Sequence, residues 1–125
     1  MGLPKPYRLK HWRQFQAVYT QGRRYSGRYL TLRCLAVEPP GFEPFQGDRP
    51  AQIGIAIGKR ISKLAVVRNR LKRQLRAGLY PLLPGLVPNH YLVVGVKSGI
   101  LECEREHFLR ELETLLTKAE VWHGH

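Results

Sequence analysis

The sequence predicts one α+β domain, and three observations support that prediction. The chain has 125 residues, which is the length of a single domain. Segments with helical and strand-like periodicity follow the order α-β-β-(β)-α-β-α, where the strand in parentheses would lie in a proline-rich stretch. No internal repeat divides the chain. We therefore expect a single-domain α/β sandwich over residues 9–119, with a flexible basic arm at 1–8 and a C-terminal tail at 120–125.

The first helix and the first two strands follow from periodicity. A helix is expected over Leu9 to Thr20, because three aromatic residues share one stripe at i, i+3 and i+7. A strand is expected over Tyr29 to Val37, which is rich in β-forming residues. Residues 38–50 hold four prolines and predict a loop. In the strand Gln52 to Gly58, glycine and alanine make one face flat enough for the close approach of a helix or ligand.

The second half of the chain predicts a long helix, a buried strand and a final helix. Ser62 is a plausible N-cap for a helix over Ser62 to Leu79. The proline-rich residues 81–90 then break any helix, and Tyr91 to Lys97 is apolar enough for a strand buried on both faces. The last helix is expected over Leu101 to Lys118. The expected buried stripes are Val67, Leu71, Leu75 and Leu79 on the long helix, and Phe108, Leu109, Leu112, Leu115 and Leu116 on the final one.

The composition excludes several classes of protein. No apolar run approaches the roughly 20 residues of a membrane span, and the first residues carry no apolar segment of a secretion signal. Two cysteines, Cys34 and Cys103, are too few for a disulfide framework. Buried free thiols in a reducing compartment are favoured over a bridge between them. We expect a cytoplasmic protein with no membrane contact and no obligate protein partner.

The charge is large and unevenly distributed along the chain. The net charge is +12, from 21 Lys and Arg against 9 Asp and Glu. Residues 1–37 contain eight basic side chains and no acid, and residues 49–97 contain ten and no acid. A solvated surface with salt bridges would mix the two signs, whereas a surface that binds phosphate would exclude acids. Nucleic acid is therefore favoured over an acidic protein or an anionic membrane as the partner.

The most basic segment lies between Lys59 and Arg76, with eight cations and no acid. On a helix, its basic residues occupy an arc opposite the apolar stripe. Their mutual repulsion, and their position near the helix N-terminus, cost stability that a bound anion would restore. Asn69 could read a base edge or a 2′-hydroxyl, or brace its neighbouring arginines. The predicted nucleic-acid-binding residues, which the resemblance described below assigns to RNA, are Lys59, Arg60, Lys63, Arg68, Asn69, Arg70, Lys72, Arg73 and Arg76.

The aromatic stripe of the first helix has two interpretations. Trp12, Phe15 and Tyr19 can all belong to the core. Alternatively, one edge of the stripe, together with Thr31 and Arg33 of the following strand, forms a groove for unpaired nucleotides, whose bases would stack on the aromatic rings.

Protein-based catalysis has little support in this sequence. A metal-dependent nuclease needs converging carboxylates, usually with Asp among them, and Asp48 is the single Asp. The pairs Glu102 with Glu106 and His107 with Glu111 are spaced i, i+4 and are interpreted as helix-surface pairs. The histidines and cysteines show no zinc spacing. We predict no catalytic residue and no metal ligand in the chain.

The string RNRLKRQLR over Arg68–Arg76 resembles the "RNR" helix of the bacterial ribonuclease P protein component. As in that family, a Gly-containing strand and a basic turn precede it at 54–60, and the segment from Leu9 to Gly22 is similar to the family's first helix. The similarity runs from about Leu9 to Leu116. This chain differs at Tyr19, where Phe is common, at Ser62-Lys63, where many members have glycine, and in a longer 38–50 stretch.

The resemblance implies a fold and a function. The RNR helix would form a left-handed crossover between parallel strands, and its basic residues would bind the catalytic RNA subunit. Phe15, Tyr19, Thr31 and Arg33 would line a cleft for the 5′ leader of precursor tRNA. The RNA, with Mg²⁺, would carry out the endonucleolytic removal of that leader. The alternatives are another RNA-binding or ribosome-associated protein and a protein nuclease that acts alone.

Overall fold

The computed structural model describes residues 3–37 and 49–123, and these form three α-helices and one four-stranded sheet. Short 3-10 turns at Lys5–Tyr7, Tyr80–Gly85 and Ser98–Glu102 lie between or before the main elements. The main elements in chain order are α1 Trp12–Gln21, β1 Arg23–Ser26, β2 Leu30–Ala36, β3 Gln52–Ala56, α2 Ala65–Leu79, β4 His90–Val96 and α3 Arg105–Lys118.

The strands lie in the order β1-β2-β4-β3. β4 is a central strand that runs antiparallel to β2 and parallel to β3. Its run Leu92–Val94 is buried, as its apolar sequence predicts. Because α2 connects the parallel pair β3 and β4, it is a crossover helix, as the resemblance implies. The handedness of this crossover stays a prediction.

Alternation along the strands divides the core into two parts. Leu30, Leu32 and Cys34 of β2 point to the same face as Leu92 and Val94 of β4. α2 and α3 cover that face with the predicted stripes, of which Leu71, Leu75, Leu79, Phe108, Leu112, Leu115 and Leu116 are buried. The opposite face carries α1, whose buried Val18 packs with Leu9 and Val93 in a smaller cluster.

The structure corrects two expectations about the elements. The extra strand is β1, which precedes β2 and pairs with it from Arg23 opposite Cys34 to Ser26 opposite Thr31. The strand considered within residues 38–50 falls largely outside the described residues. Ser62 is not the N-cap of α2, because that helix begins at Ala65 with Leu64 at the capping position and no side-chain cap. The Ser62 hydroxyl instead accepts a local hydrogen bond from Leu64 N at 3.1 Å.

Both described ends of the chain pack on the domain, unlike the expected arm and tail. Leu3 is buried in the main core, and Arg8 forms a parallel bridge with Ile53 beside β3. At the other end, Val121 and Trp122 are buried, and Trp122 bridges Leu86. Apolar side chains in otherwise polar terminal segments therefore extend the core beyond residues 9–119.

Glu111 on α3 holds the turn between β1 and β2. Its carboxylate accepts hydrogen bonds from the backbone N–H groups of Arg28, Tyr29 and Leu30 at 2.9, 2.8 and 2.7 Å. Gly27 makes room for this carboxylate, since a Cβ there would collide with it. The interpretation of Glu111 as a surface partner of His107 is therefore wrong. The three backbone N–H groups of this turn together bind the carboxylate more strongly than an exposed imidazole does.

Two further expectations concern free thiols and membrane-spanning segments. Cys34 and Cys103 are both free, Cys34 buried and Cys103 partly exposed. No helix in the described ranges has the length and apolarity needed to cross a membrane.

Candidate nucleic-acid interface

The sequence places nine predicted binding residues between Lys59 and Arg76, and the structure keeps each of them at least partly accessible. Leu71, Leu75 and Leu79 anchor α2 to the core. A 100° rotation per residue then directs the other side chains away from it. Lys59, Arg60, Lys63, Asn69, Arg70 and Arg73 are exposed, and Arg68, Lys72 and Arg76 are partly buried.

The turn before α2 brings additional cations to the helix N-terminus. The Gly58 carbonyl accepts a hydrogen bond from Ile61 N at 3.1 Å, which closes a tight turn around Lys59 and Arg60. Arg68 Nη1 donates to the Ser62 carbonyl oxygen at 2.7 Å. Arg68 therefore supports the turn that precedes its own helix, whereas Arg70 and Arg73 have no such internal role within the described part of the chain.

These cations have no acidic partner within the structure. Among residues 3–37 and 49–123, no basic side chain of the 59–76 segment lies within the 4.0 Å of a carboxylate oxygen that defines an ion pair. Glu111 of α3 binds backbone N–H groups of the β1–β2 turn and not these cations. The positive potential of α2 is consequently directed to solvent, where a polyanion can reach it.

The residues predicted for the groove come together on the opposite face of the sheet. The Arg33 guanidinium carbon lies 4.7 Å from the centroid of the Tyr19 ring, close enough for a cation–π interaction. The Phe15 ring lies over Gly54, where a Cβ would collide with it. Gly54, Val93 and Arg33 are register partners across β3, β4 and β2. Phe15 therefore lies over β3, while Tyr19 contacts the side chain of Arg33, which extends from β2 on the other side of β4.

Small residues form the floor beside this row. Thr31 pairs with Gly95, and Gly95 pairs with Ala56, so a row of three small residues crosses β2, β4 and β3 next to the aromatic rings. Thr31 and Arg33 are both partly exposed. The result is a shallow surface with aromatic and cationic side chains at its edge, a shape that suits unpaired nucleotides.

The interpretation that all three aromatic residues of α1 are core is wrong for two of them. Trp12 is 63% exposed and Tyr19 is 45% exposed, while Phe15 is half-buried beside the small cluster. Val18, one position before Tyr19, supplies the fully buried contact instead. The stripe is rotated so that its edge, rather than its centre, faces the sheet.

A cavity connects the groove with the basic helix. It has a volume of about 380 Å³, and its lining includes Phe15 and Lys10 from the α1 side, Gly54 from β3 and Arg76 from α2. The two predicted sites are thus neighbours on one continuous surface.

Sequence reasoning missed two cationic or aromatic contributions to this surface. Arg24 of β1 lies directly opposite Arg33 in the sheet, so the two share a face. The missed strand β1 explains this omission. Arg13 lies 5.5 Å from the centroid of the exposed Trp12 ring, and the alternation of basic and aromatic residues at 10–15 was the available signal.

The fold and this surface define the class of protein, a small α+β RNA-binding protein. The chain belongs to the Ribonuclease P family, whose family model matches residues 3–120. It is similar to the ribonuclease P protein component of Microcystis aeruginosa, with 49% identity over 125 residues and all of both chains covered. It is also 46% identical to the ribonuclease P protein component of a Picosynechococcus species, over the full length of both chains.

Solved structures of the same name share the fold at lower identity. The Staphylococcus aureus RNase P protein matches with a TM-score of 0.77 and 21% identity, covering 94% of this chain and 98% of that one. The Thermotoga maritima RNase P protein matches with a TM-score of 0.72 and 18% identity, covering 89% of this chain and 96% of that one. These likenesses support the fold, and the full-length relatives support the role of protein subunit of the tRNA 5′-processing enzyme.

Proposed function

We propose that the basic surface of α2 binds the catalytic RNA of ribonuclease P, and that the groove beside α1 binds the 5′ leader of precursor tRNA. The observation that carries this proposal is that the cations at 59–76 are accessible and form no ion pair within residues 3–37 and 49–123. We further propose that the protein acts in the cytoplasm, where its two free thiols stay reduced.

The α2 surface suits a folded RNA. Arginine supplies five of the eight cations of the segment, and its planar fork can form two hydrogen bonds to one phosphate. Like charges at i, i+4, such as Arg68 with Lys72, repel each other in the free protein. Phosphates bound along the helix remove that repulsion and gain the release of counterions.

The groove suits a single strand better than a duplex. Phe15 and Tyr19 offer separate stacking positions one turn apart on α1, and the floor of Thr31, Gly95 and Ala56 allows close approach of a sugar-phosphate backbone. In the free protein, Arg33 lies against one face of the Tyr19 ring. A base can stack on the other face while Arg33 contacts an adjacent phosphate.

The chemistry of cleavage is assigned to the RNA subunit with Mg²⁺. In the described ranges, His, Cys, Asp and Glu side chains do not gather in groups of three or more. The charge of the protein is instead arranged to neutralise phosphates. Such neutralisation lowers the repulsion between RNA segments, which assists the RNA in holding both its metal ions and its substrate.

Reconstitution with a cyanobacterial catalytic RNA tests this function. At low Mg²⁺, adding the chain should raise the rate of leader removal from precursor tRNA well above that of the RNA alone. Cleavage by the chain without RNA would assign the chemistry to the protein. RNA binding without any stimulation of cleavage would favour a different RNA-binding role.

The leader groove has its own test. Phe15→Ala should weaken binding of precursor tRNA to the reconstituted complex by about fivefold or more, since one stacked base contributes about 1–3 kcal/mol. Binding of mature tRNA, which lacks the leader, should change little. Equal losses for both would mean that Phe15 acts through the small core cluster alone. Trp122→Phe, a substitution in the distant core, serves as a control for general destabilisation.

A further inference from the structure

A second basic concavity lies between α2 and α3, and Arg76 of α2 lines both it and the cavity beside the leader groove. It has a volume of about 650 Å³, which is in the range of ligand-binding pockets. Arg70, Arg73, Gln74 and Tyr80 line it from the α2 side, and Arg105 lines it from α3. Tyr80 and Arg105 lie outside the segment assigned to RNA binding above.

The packing of the two helices creates this concavity. Leu109 of α3 lies directly on Gly78 of α2, where a Cβ would collide with the leucine side chain. Gln74 and Arg105 each lie one turn before this contact on their own helices. Beside this contact, the concavity is bounded by long polar side chains of both helices.

The charged residues that line the concavity have one sign. Arg70, Arg73 and Arg105 all contribute guanidinium groups to its lining. Within the described residues, none of these groups forms an ion pair, although Arg105 has Glu104 and Glu106 as its sequence neighbours. Tyr80, at the end of α2, is 55% exposed and presents an aromatic ring beside the arginines.

We propose that this concavity binds a short segment of RNA, with phosphates on Arg73 and Arg105 and one unstacked base on Tyr80. The proposal rests on the proposed function of α2 and extends its RNA-binding surface across to α3. Converging guanidiniums without carboxylates favour a polyanion. The adjacent exposed ring favours a nucleic acid over a free phosphate, because only a nucleic acid also supplies a base to stack.

Equilibrium binding of fluorescently labelled catalytic RNA, measured across a range of salt concentrations, tests this site. Arg105→Ala should weaken binding by about three- to tenfold and lower the salt slope by roughly one. Tyr80→Ala should weaken binding by about fivefold or more, while Tyr80→Phe, which keeps the ring, should bind as the unmodified chain does. Arg110→Ala, an exposed arginine on α3 outside the concavity, is the matched control.

The outcomes separate this site from the function on which it rests. Equal effects of Arg105→Ala and Arg110→Ala would overturn the site, because they would show only a general loss of charge. If Arg73→Ala weakens binding and Arg105→Ala and Tyr80→Ala do not, the site is overturned and the role of α2 stands. If none of the three weakens binding, both fail.

Discussion

The two long helices, α2 and α3, bury similar apolar stripes and use their charged residues in opposite ways. α2 buries Leu71, Leu75 and Leu79 and directs its cations to solvent without an acidic partner in the described part of the molecule. α3 buries Phe108 and three leucines, and its Glu111 binds backbone N–H groups of the β1–β2 turn. Charge on α3 thus stabilises the fold, whereas charge on α2 is available to a partner.

Because of this difference, substitutions of charged residues on α3 and on α2 should affect different properties of the protein. A substitution at a charged residue of α3 that contacts the hairpin should destabilise the protein and leave the α2 surface unaltered. A substitution at an exposed cation of α2 should weaken RNA binding, and the protein should stay as stable as before or become more stable, because like charges no longer repel.

The largest expected effect is on stability, from Glu111→Ala. This change leaves three backbone N–H groups without their carboxylate, and we expect the free energy of unfolding to fall by about 3 kcal/mol. Urea denaturation measures it. Glu111→Gln keeps one acceptor oxygen and should lose less. Glu113→Ala, an exposed glutamate on the same helix, is the control. A loss for Glu113→Ala as large as that for Glu111→Ala would contradict the role of the hairpin contact.

A smaller stability effect should distinguish two arginines within α2. Arg68 donates to the Ser62 carbonyl oxygen, so Arg68→Ala should lower the free energy of unfolding by about 1 kcal/mol. Arg73 is exposed and forms no such bond within the described part of the chain, so Arg73→Ala should leave stability unchanged. The two variants should therefore separate in denaturation while both weaken RNA binding. Identical unfolding curves would show that the Arg68 contact does not stabilise the turn.

The smallest effect concerns the reactivity of the two free thiols, Cys34 and Cys103. Burial raises the pKa of the Cys34 thiol above its ordinary value, with Arg23 acting in the opposite direction. A raised pKa leaves less thiolate at a given pH, so Cys34 should react slowly with a disulfide reagent at neutral pH, and faster as the pH rises. Cys103, which is partly exposed, should react first. Comparing the Cys34→Ala and Cys103→Ala variants assigns the two rates, and a faster reaction at Cys34 would contradict this order.

Local periodicity was sufficient to predict much of the fold. The i+4 spacing of Leu71, Leu75 and Leu79 predicted the buried side of α2 and therefore its basic arc. The alternation in β2 correctly placed Thr31 and Arg33 on the face opposite Leu30 and Leu32.

The features that the sequence did not reveal depend on contacts between distant or competing groups. β1 is a four-residue polar strand whose pairing with β2 has no apolar pattern. Glu111 binds backbone groups some 80 positions away, and backbone donors are the same for every residue type. At Ser62, two local hydrogen-bonding arrangements compete, and the hydroxyl binds Leu64 N instead of capping the helix. The residues at which RNA binds stay a prediction.

The salt dependence of catalytic RNA binding tests most directly whether the unpaired cations of α2 bind phosphate. For Arg73→Ala, the slope of log K against log salt should fall by roughly one relative to the unmodified chain, and for Arg70→Ala combined with Arg73→Ala by roughly two. Arg110→Ala on α3 should leave the slope unchanged. Equal slopes for the unmodified chain and the double variant would contradict the account, because the arginines of α2 would then not be on the RNA.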